Sequence, residues 1–137
     1  MKIIVIEGKP NIGKTTTMWE ILDILSPGGV RSPSFHLYGT TPYKDDFEEI
    51  ISGYRSLKIA LYSIGDYSNA LAKAIRKFHT TGCDVLICPL STNTPKINAR
   101  KAINSFVNIK HPKIFESNPS LQKGVNIVDA NAVIALI

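Results

Sequence analysis

The amino-terminal segment of the chain places an apolar run directly before a glycine-rich pattern. Residues 3–6 are all β-branched aliphatics, and the pattern G-x-x-x-x-G-K-[ST] follows as Gly8-Lys9-Pro10-Asn11-Ile12-Gly13-Lys14-Thr15. In this pattern the glycines let the backbone curl so that successive N–H groups point inward, where they can hold phosphate oxygens. An ordinary glycine turn, the alternative, requires neither a lysine nor a hydroxyl at these positions. The sequence therefore predicts a strand, a phosphate-binding loop and a helix within the first 25 residues.

The length and composition of the chain are typical of one globular domain. Its 137 residues, 44% hydrophobic and 20% charged, are enough to bury a core, so we expect a single domain over residues 1–137. No apolar run approaches the roughly 20 residues of a membrane helix, and residues 3–6 are too few for a signal-peptide core. We therefore expect a cytoplasmic protein with no membrane partner. Cys83 and Cys88 lie beside or within an apolar run, which predicts buried thiols in a reducing compartment.

The charge of the chain is mildly basic, with a formal net charge of +5 and a pI near 9.3. This balance favours anionic partners, nucleotides and nucleic acid included, and does not choose between them. Two basic stretches have helical spacing, namely Lys73, Arg76 and Lys77, and then Lys96, Arg100 and Lys101. Either a solvated helix face or a groove for nucleic acid explains them, and no interleaved aromatic residues favour the groove.

The spacing of apolar residues predicts alternating helices and strands. Met18, Ile21, Leu22 and Leu25 recur as on one face of a helix, which the proline and glycines of residues 26–29 should end. Further helices are expected at residues 71–78, over 96–106 and from about Asp129, and strands at 3–6, 34–38, 58–64, 84–90 and 113–116.

A brief helix is also expected after residue 44. Asp45 and Asp46 can cap it, and it would place Phe47, Ile50 and Ile51 on one side.

This alternation predicts an α/β protein, a three-layer α/β/α sandwich with a mostly parallel sheet of about five strands. Right-handed crossovers bring the carboxyl ends of parallel strands to one edge, where ligands of open α/β sheets bind. Residues 8–15, 65–66 and 91–94 each follow a predicted strand. We therefore expect these three segments to meet at that edge.

The glycine-rich loop supplies most of the candidate binding residues. They are Gly8, Lys9, Pro10, Asn11, Ile12, Gly13, Lys14, Thr15 and Thr16. Lys14 is expected to neutralise the β and γ phosphates, Thr15 to ligate Mg²⁺, and Thr16 to place a hydroxyl near the α phosphate. Asn11 and Ile12 should contribute backbone N–H groups, whereas the pattern accepts many residues in place of Lys9 and Pro10.

A magnesium ion between phosphates needs a carboxylate nearby, and the sequence has two candidates. Asp66 follows the apolar run at 58–64, separated from it by Gly65, and can either approach the metal or cap the helix that starts near Ser68. Glu7 directly precedes the loop. It can orient a substrate or a water of the metal, or it can pair with a nearby lysine.

The other ionisable residues are weaker candidates. Arg100 follows the strand at 84–90 near the expected site edge, so it is a candidate catalytic residue beside Lys14 and Asp66. Asp84 should lie at the opposite edge, and Asp129 is most simply a helix cap. The three histidines lack the spacing of metal ligands.

The chain resembles the P-loop NTPase superfamily, and its opening is similar to that of the thymidylate kinases among the small nucleotide and nucleoside kinases. Residues 4–8 and 12–16 carry this resemblance, which covers about the first 25 residues. It implies the P-loop NTPase fold, ATP and Mg²⁺ as ligands, and a small-molecule phosphoryl acceptor.

The departures from this resemblance are also informative. Residues 38–46 lack the acidic-arginine pair with which such kinases hold the acceptor, and residues 91–95 leave no room for their arginine-rich lid. The N-K-x-D motif of GTPases is missing from the sequence, and residues 65–67 lack the extra glutamate of DNA-motor ATPases.

We therefore expect a protein that binds Mg²⁺ and a nucleoside triphosphate, ATP before others, and hydrolyses or transfers its γ-phosphoryl group. Lys14, Asp66 and Arg100 are the expected catalytic residues, and Thr15 and Asp66 the expected metal ligands. Two alternatives stay open: a nucleotide-binding regulatory module without turnover, and a basic ATPase associated with nucleic acid.

Overall fold

The computed structural model describes residues 1–33 and 35–137, and within these it contains seven β-strands and four α-helices. In chain order they are β1 (Lys2–Gly8), α1 (Lys14–Leu25), β2 (Val30–Arg31), β3 (His36–Tyr38), β4 (Asp46–Tyr54), β5 (Leu57–Tyr62), α2 (Ser68–Thr80), β6 (Val85–Ser91), α3 (Ile97–Asn104), β7 (Val107–Pro112) and α4 (Pro119–Ile134). A 3₁₀ turn, Ser26–Gly28, follows α1 where the proline and glycines were expected to end it. The strand expected at 34–38 corresponds to β3, and Ser34 lies outside the described residues.

All seven strands belong to one mixed sheet. Its order is β2-β4-β5-β6-β1-β7, and β3 pairs with β4 as well. Strands β5, β6, β1 and β7 run parallel, whereas β2, β3 and β5 are antiparallel to β4. The predicted α/β class is confirmed. The sheet is larger than the expected five strands because an antiparallel section precedes β5.

Helices cover both faces of the sheet, because alternate residues of a strand point to opposite sides. Ile4 and Ile6 of β1 pack in a cluster with residues of α1 and α4. Ile3 and Val5 pack in the other cluster, with α2 and α3. Each side of β1 is therefore buried under two helices, and β6 is buried along its whole length. In the part of the chain that the structure describes, no helix is long and apolar enough to cross a membrane.

The prediction of a brief helix at residues 45–51 is wrong, because residues 46–51 of this segment belong to strand β4. Phe47, Glu49 and Ile51 alternate inward, with period two. Glu49 is buried and accepts a hydrogen bond at 3.0 Å from the Arg31 side chain of the neighbouring β2. The buried charge interrupts the apolar alternation, so the spacing of Phe47, Ile50 and Ile51 imitates a helical face.

The last two elements also differ from expectation. The strand expected at 113–116 is not there, and the last strand of the described residues is β7, which ends at Pro112. In the described residues β7 pairs only with β1, at the edge of the sheet. Its polar residues Asn108 and Lys110 hide the strand from a search for apolar residues. The terminal helix begins at Pro119 rather than near Asp129, and the Asn118 side chain caps it by accepting from the N–H of Ser120. Asp129 is therefore not a cap.

Packing of β4 against the core can be tested at Phe47. This side chain is fully buried, and its ring centroid lies 4.3 Å from that of Trp19. We expect Phe47→Ala to lower the free energy of unfolding by about 3–5 kcal/mol. The matched change Phe115→Ala removes a ring that is 65% exposed and should cost within about 0.5 kcal/mol. Urea unfolding followed by circular dichroism measures both, and equal losses would contradict the packing of β4.

Candidate phosphate-binding site

The glycine-rich loop joins β1 to α1 with its N–H groups turned away from protein acceptors. Asn11 and Gly13 adopt positive φ angles of 62° and 96°, which curl the backbone before α1 begins at Lys14. Among the described residues, the backbone N–H groups of residues 11–16 donate no hydrogen bond to the protein. Successive N–H groups of this kind, together with the first turn of a helix, form an anion-binding concavity.

Both glycines of the pattern are required by close contacts. A Cβ atom on Gly8 would lie 2.5 Å from Ile12 Cδ1 and 3.2 Å from Lys113 Cβ. A Cβ atom on Gly13 would lie 2.9 Å from Asn126 Oδ1, in a backbone conformation that only glycine adopts without strain. The loop can therefore approach α4 and the end of β7 closely only because these two positions lack side chains.

Asn126 of α4 holds the loop from the side and was missed by sequence analysis. Its Nδ2 donates to Thr16 Oγ1 at 3.1 Å, and its Oδ1 accepts from Thr17 Oγ1 at 3.3 Å. Thr17 Oγ1 also contacts the Gly13 carbonyl oxygen at 2.8 Å. No signal in the sequence links Asn126 to a loop more than a hundred residues before it.

Three nearly buried lysines converge on the carboxyl edge of the parallel strands. Lys14, Lys96 and Lys113 are each only 7% exposed. Lys14 Nζ donates to the carbonyl oxygens of Gly8, at 3.0 Å, and Lys9. Burial lowers the pKa of Lys14, and the charges of Lys113 and Lys96 lower it further, while Asp66 acts in the opposite direction. An anion placed here would favour the charged form of Lys14.

Lys113 is supported by a buried ionic network in which Asp129 takes part. Asp129 is fully buried in the middle of α4, and its Oδ2 lies 2.8 Å from Lys113 Nζ. Its Oδ1 lies 2.7 Å from His111 Nε2, and Oδ2 also accepts from the N–H of Ile114 at 3.1 Å. The expected role of Asp129 as a helix cap is thus replaced by one in fastening the segment after β7 to α4.

Oxygen-bearing side chains collect on the other side of the loop. Thr15 Oγ1 donates to Asp46 Oδ1 at 3.2 Å, and Ser63 Oγ donates to the same oxygen at 2.9 Å. Asp66 accepts a hydrogen bond from Ser91 Oγ. Asp66 does not cap α2, whose N-cap residue is Tyr67. The expected role of Asp46 as a helix cap is wrong, because its carboxylate instead accepts from Thr15 and Ser63 at this site.

The position of Asp66 depends on a local break in the sheet. Strand β5 pairs with β6 only as far as Leu61 and Ile87. Two residues after Ile87, Pro89 lacks the N–H that would continue this ladder. Instead, the N–H of Ser91 donates to the Gly65 carbonyl oxygen at 3.0 Å, and a Cβ on Gly65 would lie 2.8 Å from the Pro89 carbonyl oxygen. Strand β6 itself continues past Pro89 to Ser91, one residue beyond the strand expected at 84–90.

These segments line one cleft of about 680 Å³. Its walls include Asn11, Gly13, Lys14, Thr15, Thr16, Lys44, Ser63, Gly65, Asp66, Ser91 and Gln122. The structure thus brings together residues from the loop, from 65–66 and from the end of β6. Within the described residues, no group of three His, Cys, Asp or Glu side chains could hold a metal ion alone. A metal at Thr15, Asp46 or Asp66 would require ligand oxygens from another molecule or from water.

A second pocket, of about 380 Å³, opens beside this cleft. Thr16 and Gln122 line both spaces, and the rings of Trp19 and Tyr43 form part of the second. The two ring centroids are 4.9 Å apart, and Tyr43 is 54% exposed. Trp19 is only 4% exposed, so Tyr43 provides most of the aromatic surface of this pocket next to the anion-binding loop.

Arg100 and Glu7 form a salt bridge, with 3.0 Å between Nη1 and Oε1. Of the two roles expected for Glu7, pairing with a lysine is wrong because its partner is Arg100, and orienting a substrate or a water of the metal stays a prediction. Arg100 also donates from Nε to the Pro95 carbonyl oxygen at 3.1 Å, and it does not line the cleft. The catalytic role of Arg100 stays a prediction.

Comparison with known proteins finds no matching protein family, no matching curated protein and no matching solved structure.

The close approach of Gly13 to Asn126 leads to a prediction for stability. Gly13→Ala must displace Asn126 as well as adopt a left-handed conformation. Gly53 also has a positive φ, of 82°, but has open space around it, so Gly53→Ala isolates the conformational cost of about 1–2 kcal/mol. We expect Gly13→Ala to cost roughly 1–2 kcal/mol more than Gly53→Ala, because Asn126 loses its hydrogen bonds. Thermal or urea unfolding compares them, and equal costs would argue against the contact.

Proposed function

We propose that this protein binds a nucleoside triphosphate with Mg²⁺, ATP before others, and hydrolyses or transfers its γ-phosphoryl group. The observation that carries the proposal is the loop of free backbone N–H groups at residues 11–16 with Lys14 in the same cleft. Lys113 and Lys96 lie near enough to lower the pKa of Lys14. A cleft of about 680 Å³ adjoins it, within the usual range of roughly 300–1,000 Å³ for small-molecule sites. The P-loop NTPase fold is part of this proposal.

The charge of the site suits a polyphosphate better than a single small anion. Lys14 contacts only carbonyl oxygens of the loop itself, and an anion would offer it stronger, charge-assisted hydrogen bonds. Lys96 donates to Asn93 and Thr94, again to neutral oxygens. Lys113 is already paired with Asp129. Lys14 is thus available in the cleft to neutralise phosphate charge, and the loop N–H groups add to it. Lys96 lines the adjoining pocket and acts at longer range.

The oxygen atoms beside Thr15 are suitable ligands for Mg²⁺. Thr15 and Asp46 are in direct contact, and Asp66 lines the same cleft. Mg²⁺ bound to a nucleotide commonly takes one or two carboxylates, with phosphate oxygens and water completing the octahedron. When bound, the metal would neutralise negative charge between the β and γ phosphates. We therefore propose Thr15, Asp46 and Asp66 as the residues that hold it.

The remaining part of the nucleotide has room beside the loop. Thr16 separates the cleft from the pocket that contains Trp19 and Tyr43. A nucleoside whose phosphates lie on the loop would extend past Thr16 toward these rings, where its base could stack. This placement makes no distinction among bases.

Turnover would depend on charge stabilisation during phosphoryl transfer. Lys14 and the loop N–H groups are oriented before the reaction, which is the arrangement that stabilises developing charge best. Arg100 could assist only after leaving Glu7. A nucleotide-binding module without turnover is the alternative, and it is favoured by the absence of Arg100 from the cleft lining.

Binding can be tested by thermal unfolding with a panel of nucleotides, with and without Mg²⁺. At a concentration about 100 times Kd, a ligand adds about 2.7 kcal/mol to stability. For a chain of this length, Tm should rise by roughly 8 °C. We expect Lys14→Ala to abolish the rise, and Lys110→Ala, which removes an exposed lysine within β7, to keep it.

The same samples separate the proposed activity from its alternatives. An ATPase releases phosphate without an acceptor, a kinase forms ADP only with one, and a regulatory module is stabilised by nucleotide with no turnover. An equal response of wild type and Lys14→Ala would contradict binding at the loop.

The proposed metal ligands lead to a second prediction. We expect Asp46→Asn and Asp66→Asn both to reduce the extra increase in Tm that Mg²⁺ adds to ATP. Asp46→Asn should reduce it more, because its carboxylate contacts Thr15. Asp84→Asn is the control, since Asp84 lies at the opposite edge and accepts from the N–H of Lys58. An unchanged Mg²⁺ increment in both site variants would exclude these carboxylates as ligands.

A further inference from the structure

Two neighbouring depressions that share lining residues, together named the α2–α3 trough, lie along α2 and α3. One part is a groove of about 370 Å³ whose lining includes Asn69, Arg76, Asn98, Lys101 and Ser105. Asn69 and Asn98 also line the adjoining pocket of about 520 Å³. Asp66 in turn lines both this pocket and the cleft beside the loop.

The two helices that form the trough carry cations and no carboxylate. Their basic residues are Lys73, Arg76, Lys77, Arg100 and Lys101. Lys77 and Arg100 are paired with Glu48 and Glu7 on neighbouring strands. In the described part of the chain, Lys73, Arg76 and Lys101 are exposed and have no ion-pair partner. Lys73, Arg76 and Lys101 have no role in the proposed nucleotide site.

The trough combines this charge with neutral hydrogen-bonding groups and an exposed ring. The Asn98 side chain donates to Asn69 Oδ1 at 2.6 Å and bridges the two helices, and Ser105 adds a hydroxyl. Tyr67, which lines the adjoining pocket of about 520 Å³, is 69% exposed. Nonspecific single-strand binders combine a positive groove that follows the backbone with aromatic rings on which bases stack.

We propose that the α2–α3 trough binds single-stranded nucleic acid. Arg76 and Lys101 contact the phosphodiester backbone, and Tyr67 provides a surface for one base. A duplex keeps its bases stacked inside and leaves Tyr67 without a partner. A membrane surface fits poorly because Arg76 and Lys101 line a concave groove rather than a projecting face. An acidic peptide would use the cations but not the ring.

The test is fluorescence anisotropy of labelled oligo(dT) and oligo(U), without nucleotide and at low salt. We expect binding by the wild type. The double variant Arg76→Glu/Lys101→Glu should weaken it at least about tenfold. It should also reduce the slope of log K against log salt by about 1.4, or roughly 0.7 for each lost phosphate contact on a single strand. Tyr67→Ala should weaken binding on the order of tenfold.

A matched control makes the same change of charge elsewhere. Arg55 and Lys110 are exposed, have no ion-pair partner in the described part of the chain, and do not line the trough. Apart from the general effect of the changed net charge, Arg55→Glu/Lys110→Glu should change the affinity for the oligonucleotides less than twofold. An equal loss in the control would overturn the proposal, because binding would then reflect net charge alone.

Other ligands provide the remaining outcomes. Failure of both oligonucleotides to bind at low salt overturns the proposal. Binding of anionic phosphatidylserine vesicles or of poly-glutamate through Arg76 and Lys101, without oligonucleotide binding, overturns it in favour of that partner. The ATP-induced rise in Tm, measured on the same variants, reports folding and the nucleotide site separately. Oligonucleotide binding that Arg76→Glu/Lys101→Glu weakens and the control variant does not supports the proposal, whether or not ATP binds.

Discussion

The structure depends on holding three ammonium groups almost out of water at one edge of a parallel sheet. Removing a charge from water costs several kcal/mol unless it finds good partners, and each of these lysines is provided with them differently. Lys14 contacts carbonyl oxygens of its own loop, Lys96 contacts an amide and a hydroxyl, and Lys113 contacts the buried carboxylate of Asp129. Among the described residues, Lys113 alone of the three has a full opposite charge in contact. Lys14 and Lys96 thus have no carboxylate in direct contact within this part of the chain, and the carboxylates of Asp46 and Asp66 lie at the same edge, bonded to hydroxyl groups.

The parts of the site that sequence reasoning predicted are those built from neighbouring residues. The strand, loop and first helix follow from glycine geometry and apolar spacing within a short segment, and the structure contains all three. Asn126, Asp129 and Asp46 escaped prediction because each acts through contacts with segments distant along the chain. Strand β4 was missed for a related reason. Glu49 is buried because Arg31 of another strand pairs with it, and local polarity cannot reveal such a partner.

Two spaces meet at Asp66, and they differ in what they offer. On one side lies the cleft of the loop, with backbone N–H groups and lysines. On the other side lies the pocket of about 520 Å³ in the α2–α3 trough, with the exposed ring of Tyr67 and amide side chains. Because Asp66 lines both, a ligand that changes the position of its carboxylate changes both spaces.

Pro89 contributes to this arrangement because it has no backbone N–H group. On a fully buried central strand, a missing amide hydrogen would usually weaken the sheet, and proline is rare there. Here it coincides with the point where β5 stops pairing, so the chain that leaves β5 is free to diverge and carry Gly65 over the strand. The recess in front of the sheet thus results from an interruption of backbone pairing rather than from small side chains. Any other residue at this position would bring a donor that needs an acceptor, and the nearest way to satisfy it is to draw the two chains together and narrow the recess.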